Sequence, residues 1–319
     1  LDMKSFGLFL CCFLSILQLS AQFLPDSLRK AYAAAPGMRE KHRLLRDYYA
    51  HAAPYDPGEK LQQINLFRSD MLRRGDQRAA DFLGVLTGVQ AWRAGDYSGA
   101  ISTCMELLPV LEERKDTMGI LNALNTIGIS YADSKNQEQS VLYLKRALTY
   151  SQEQQEQSTR VTILNNLADN YIKMRQRDSA LHYILQAQQL AEHHGKSFLL
   201  TLVYSTMGEV YMLNGELEIA LPVLRKAISE AVKDADTATI SYNYSNMAEC
   251  WFRLQHPDTA IRYASLAFEL AAPSLLAERL MASERLTRYY RVANARDSMY
   301  RYFQIAMDIK DSLFAVEKT

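Results

Sequence analysis

The residues able to do chemistry are few and scattered. His193 and His194 form the one histidine pair in a chain with six histidines. Two imidazoles can begin a metal site, but they fall short of the three or four ligands a zinc centre needs. Placed just before Gly195, they read instead as a solvated helix end, where the helix dipole favours a cation. Cys104 and Cys250 stand alone, with no Cys-x-x-Cys partner and no disulfide framework, and read as small buried hydrophobes. Gly-x-Gly-x-x-Gly, the P-loop, His-Glu-x-x-His and Gly-x-Ser-x-Gly are all missing from the sequence. No catalytic residue, metal ligand or cofactor is therefore expected. What remains is a set of carboxylates, Asp169, Glu209 and Glu249, each forty residues from the next. Such groups meet only if the chain returns on itself at the same interval, so the elements that carry them decide what they can do.

The chain does repeat at forty. One register runs Leu124, Leu164, Tyr204, Tyr244. Three residues on come Ile127, Leu167, Met207 and Met247, followed directly by Gly128, Ala168, Gly208 and Ala248, and then by the aromatics Tyr131, Tyr171, Tyr211 and Trp251. Downstream lie Ser140, Ala180, Ala220 and Ala260, then Leu144, Ile184, Leu224 and Ala264, then Ala147, Ala187, Ala227 and Ala267. Positions three, four and seven apart share one face of an α-helix, so each unit reads as two amphipathic helices. The small residues mark where a neighbouring helix approaches closely. Gly95 and Gly215 fall in turns that need a positive φ, and Pro257 suits a first helical turn. Asp178-Ser179, Asp258-Thr259 and Asp297-Ser298 are expected to cap second helices. Residues 22–80 are expected to hold one short helix over 22–40 and a worn unit over 41–80 (Leu44, Leu45, Tyr48, Tyr49, Ile64, Phe67). Five clear repeats cover 81–280, and a last repeat over 281–319 is slipped by one residue.

This pattern resembles the tetratricopeptide repeat, whose usual period is about 34 residues; a period of forty implies longer helices or connections. The resemblance implies an all-α fold, a right-handed superhelix of antiparallel helix hairpins that stack as one object. It also implies that the first helix of each hairpin lines a concave surface. On that helix the positions pointing away from the core supply short amides (Asn125, Asn165, Asn166, Asn246), the acidic stripe (Asp169, Glu209, Glu249) and an apolar strip (Ile172, Met212, Phe252). Asn both donates to and accepts from a peptide backbone. The acidic stripe favours a partner, protein or peptide, that carries positive charge. Lys173 and Arg253 are the candidates for the basic clamp by which some members of the family hold a C-terminal carboxylate.

Composition sets the outer bounds. With 48% hydrophobic and 23% charged residues the chain is folded rather than disordered. Thirty-six basic residues balance thirty-six acidic ones, which argues against a nucleic-acid partner. Lys4, the apolar run Phe6–Leu19 and the small pair Ser20-Ala21 have the order of a secretory signal peptide, so residues 1–21 are expected to direct export to the periplasm or beyond. No membrane contact is expected of the mature segment. The leading expectation is an exported, non-catalytic binding scaffold. The stretch Met307–Phe314 also resembles the last hairpin of periplasmic sensor regions. That resemblance implies the alternative of a membrane signalling protein whose kinase or helix-turn-helix effector would follow Thr319.

Overall fold

The computed structural model describes residues 26–49, 57–151 and 157–316. The expected signal peptide, with Cys11 and Cys12, lies outside them. Among the described residues there are fifteen α-helices and no strand. The chain divides into two compact units, residues 1–150 and 151–319.

The first unit holds α1 (Asp26–Ala34), α2 (Met38–Asp47), α3 (Pro57–Arg73), α4 (Gln77–Arg93), α5 (Tyr97–Glu113), α6 (Thr117–Asp133) and α7 (Gln137–Tyr150). The single helix expected over 22–40 is two, because Pro36-Gly37 interrupts it and Gly37 caps α2 from an extended conformation. Leu45, Tyr49, Ile64 and Phe67 are buried in one core with Phe82 and Leu83, and Leu44 and Tyr48 pack against it.

The second unit holds four hairpins: α8 (Gln157–Lys173) with α9 (Arg177–His194), α10 (Ser197–Asn214) with α11 (Leu217–Lys233), α12 (Thr237–Arg253) with α13 (Pro257–Leu270), and α14 (Leu276–Val292) with α15 (Arg296–Val316). Each helix packs on the next, and each first helix also packs on the first helix of the following hairpin. The repeat positions Leu164, Leu167, Ala168, Ile184 and Ala187 are fully buried, as are Leu224, Ala227, Ala260 and Ala267.

The turns explain the period. Most helices run for 17 residues and most turns for three, which makes forty per hairpin. The residues at 75, 95, 115, 135, 175, 195, 215, 235 and 255 all have positive φ. In most of these turns the next residue's N–H bonds five residues back, as in Asp96 N to Ala91 O at 2.9 Å and Asp236 N to Ala231 O at 3.0 Å. This is a Schellman closure, and its last residue is the N-cap of the following helix. Asp96, Asp116 and Asp236 fill that place and accept the N–H of Gly99, Gly119 and Thr239 at 2.8, 3.0 and 3.0 Å.

The closure corrects the expected caps. Gln176 and His256 occupy the N-cap positions of α9 and α13, while Asp178 and Asp258 sit within the first turn, as Asp297 does in α15. There they act on the helix dipole rather than on a single N–H. The one-residue slip also has a location. Helix α13 has 14 residues, three fewer than α12, and the connection 271–275 has two residues more than the usual three, so α14 starts one residue early.

Candidate functional site

In the second unit the first helices α8, α10 and α12 line a cavity of about 520 Å³. Helix α8 contributes Asn165, Asn166 and Asp169, one turn apart on one face. Helix α10 contributes Thr201, Ser205, Thr206 and Glu209, with Phe198 from its first turn and Leu202 from its second. Helix α12 adds its N-cap Asp236, with Thr239 and Tyr242. The forty-residue step brings these residues together because each first helix lies beside the next.

The cavity is acidic. Asp169 pairs with Lys173 one turn away at 2.9 Å. The Tyr242 hydroxyl donates to Glu209 Oε1 at 2.7 Å. Burial pushes the Glu209 carboxyl up to about 7. The Tyr242 hydrogen bond opposes that shift, the negative charge of Asp169 adds to it, and Arg285 and Lys173 pull it back. Asp236 spends both oxygens on Thr239, on its N–H at 3.0 Å and its hydroxyl at 2.5 Å. Two buried side chains on the cavity wall keep a polar atom with no partner in the protein: Oδ1 of Asn165, 3% exposed, and Oγ1 of Thr201, 6% exposed.

Not every residue singled out from the sequence lies open here. Asn165 and Asn246 are both 3% exposed, so neither belongs to a solvent-facing amide row. A first helix is covered on three sides, by its own second helix and by the first helices before and after it. Its buried arc is therefore wider than a simple amphipathic wheel allows. Asn246 accepts Arg285 Nη2 through Oδ1 at 3.0 Å. Asn166 is half-buried on the cavity wall, and Asn125 is half-buried on α6 of the first unit. Glu249 is held by Arg288 and by the Tyr289 hydroxyl, the latter at 2.9 Å, so its charge is compensated from α14.

The expected apolar strip is largely used in packing. Phe252 stacks on Tyr289 with ring centroids 4.4 Å apart and lies under Arg288. Met212 packs against the core around Leu217 and Leu224, and Ile172 is half-buried. Lys173 pairs with Asp169, and Arg253 donates to the Met212 carbonyl at 2.8 Å.

Thr201, Asp236, Tyr242 and Phe198 were not singled out from the sequence. Thr201, Tyr242 and Phe198 have no counterpart forty residues away, so a periodic reading passes over them. Asp236 alone carried a signal, as one of the acids at twenty-residue spacing that close the turns. His193 and His194 occupy the last turn of α9. No group of three His, Cys, Asp or Glu that could hold a metal ion is found among the described residues. A second hollow of about 410 Å³ is lined by Arg225, Arg262, Tyr244 and Tyr263. None of these four presents a buried polar atom without a partner.

Comparison with known proteins agrees with the geometry. A tetratricopeptide repeat family model matches residues 161–194, the α8/α9 hairpin. RapI in its apo form is similar in structure, with a TM-score of 0.67 at 14% identity over 85% of this chain and 96% of that one. A Rap protein in complex with Competence and Sporulation Factor gives 0.55 at 13% identity over 95% and 99%. The Rap conjugation gene regulator of plasmid pLS20, in complex with the Phr peptide, gives 0.55 at 16% identity over 90% and 93%. At these identities the likeness is one of fold. A comparison with curated proteins finds no match.

Proposed function

We propose that this chain, an α-solenoid of tetratricopeptide-type repeats, is an exported scaffold that binds a peptide or protein segment and does no chemistry of its own. The observation that carries the reading is the cavity on α8, α10 and α12. It is concave, it spans three successive repeats, and it presents amide, hydroxyl and carboxylate groups that match an extended polypeptide. Two proteins of the same fold, named above, bind Competence and Sporulation Factor and the Phr peptide.

Residues 1–21 supply the export half of the proposal. No helix among the described residues is long and apolar enough to cross a membrane. Expression of the full chain in a Gram-negative host, followed by fractionation and N-terminal sequencing, tests this half. Recovery outside the cytoplasm with Gln22 as the first residue supports it; retention in the cytoplasm with residues 1–21 intact defeats it.

The binding half is tested by incubating the labelled full chain with surface-bound pools of randomised nonapeptides. Saturable retention at micromolar concentration, competed by the same peptides in solution, is expected. Absence of retention in every pool overturns it.

A further inference from the structure

The polar groups on the cavity wall are unequally divided between donors and acceptors. Asn165 Oδ1 can only accept, and it has no partner in the protein. Thr201 Oγ1 is buried without a partner beside it. Glu209 uses Oε1 for Tyr242, whose only hydroxyl proton is thereby spent, and Oε2 remains. The Asp169 carboxylate adds negative charge from α8, and Asp236 adds it from the start of α12. A buried acceptor with no donor is destabilising, so the wall is best satisfied by a ligand that brings several N–H groups and a positive charge. Phe198, 47% exposed, and Leu202 line the same cavity and suit the methylene stem of such a group.

We propose that the cavity receives one basic side chain of the bound polypeptide, a guanidinium or a primary ammonium, and that Glu209 is its proton-regulated acceptor. This rests on the peptide-binding reading above and narrows it to a ligand class.

Regulation follows from what faces Glu209. Asp169 and Lys173 face it from α8, Tyr242 from α12 and Arg285 from α14. Arg285 is already engaged, with Ser245 at 2.9 Å and Asn246 at 3.0 Å. Lys173 is an exposed i,i+4 partner of Asp169, a type of pair that holds weakly and yields to a better-placed cation. Because burial pushes the Glu209 carboxyl up to about 7, Glu209 in the empty cavity ionises only near neutral pH. A cation binds the ionised form and displaces the proton, so affinity rises with pH. At pH 6 the protonated form of the empty protein predominates, which lowers apparent affinity relative to pH 8.

The test uses the full chain and nonapeptide pools randomised except at the centre, fixed as Arg, Lys, citrulline, norleucine or Glu, with binding read by fluorescence anisotropy at pH 6 and pH 8. The Arg or Lys pool, or both, is expected to bind at least about tenfold more tightly than citrulline and norleucine at pH 8, with most of that advantage lost at pH 6. Glu209→Gln, which still accepts from Tyr242, is expected to remove the pH dependence. Thr201→Val is expected to weaken binding several-fold at both pH values. Circular dichroism checks that both variants fold, and Asp169→Asn at the cavity wall serves in their place if either does not. Equal binding of all pools, or a preference for Glu, overturns this proposal while leaving the peptide-binding reading standing. Binding by no pool overturns both.

Discussion

Gly215 and Gln255 hold the same place one repeat apart, each the left-handed residue of its turn, with φ of 84° and 64°. In this region an L-residue with a Cβ is strained by roughly 1–2 kcal/mol, and glycine is not. The closure tolerates the strain because the two hydrogen bonds of the Schellman motif depend on that φ: Gln255 N reaches Phe252 O at 3.1 Å and His256 N reaches Trp251 O at 2.9 Å. Gln255→Gly is therefore expected to raise stability by up to about 1 kcal/mol, the gain being limited by glycine's freedom in the unfolded chain. Gly215→Ala should lower it by about 1 kcal/mol. Urea denaturation followed by circular dichroism reads both, and shifts of the same sign would show that the turns do not share one strain. The cap that follows is open to the same measurement. Asp236→Ala removes the acceptor of two Thr239 groups and should lose about 1–2 kcal/mol. The glycines at 95 and 215 announce their turns in the sequence. Lys115, Arg175 and Gln255 do not, since nothing in their chemistry favours a positive φ and only the twenty-residue spacing places them.

Between helices the controlling feature is how closely two of them approach. Gly208 on α10 faces Leu224 on α11, and a Cβ added at Gly208 would come within 2.3 Å of Leu224 Cδ2, a fully buried side chain. One hairpin later both positions change together, to Ala248 and Ala264 in a single core. The two helices thus keep their separation by trading volume across the contact. Gly208→Ala should cost roughly 1–3 kcal/mol through overpacking, despite alanine's better helix propensity. Leu224→Ala alone should cost about 2–5 kcal/mol. The double variant recreates the Ala248–Ala264 pairing, so its loss should be smaller than the sum by about 1 kcal/mol or more. Additive losses in a denaturation cycle would mean that the two side chains do not limit the approach. This packing was legible in the sequence because large and small residues recur at forty. The pairing Tyr131–Tyr143, with centroids 5.6 Å apart, and its counterpart Tyr171–Tyr183 at 5.5 Å were half-legible: the first member of each recurs in the aromatic register, and the second was passed over. The burial of Asn165 and Asn246 was not legible. A helical wheel assigns one buried face, whereas a first helix in a stack has neighbours on three sides.

For the molecule as a whole, two half-buried carboxylates of opposite behaviour bear on how stability responds to pH. In the first unit, burial by itself would raise the Asp116 carboxyl. His42 at 3.4 Å, the Gly119 N–H and Arg78 outweigh it and hold the group below the usual carboxylate range. A lowered carboxyl binds fewer protons folded than unfolded, so its contribution is present above the ordinary value and is lost as pH falls through the lowered one. In the second unit Glu209 stands at about 7 against an ordinary value of 4.5. It binds more protons folded than unfolded across that interval, so stability falls as pH rises from 4.5 to 7 and levels off above. The two shifts predict a stability maximum on the mildly acid side, with separate causes for the two limbs. Urea midpoints measured from pH 3 to pH 8 should decline between about pH 5 and pH 7 by an amount worth up to about 3 kcal/mol. Glu209→Gln should flatten that decline and leave the acid limb in place, while Asp116→Asn should weaken the acid limb alone. A basic ligand in the cavity favours ionised Glu209, so a saturating Arg-centred peptide should also flatten the neutral decline, and do so without any substitution. If stability instead rises steadily from pH 5 to pH 7, Glu209 titrates as an ordinary surface acid, and the cavity has neither the raised carboxyl nor the proton-linked affinity.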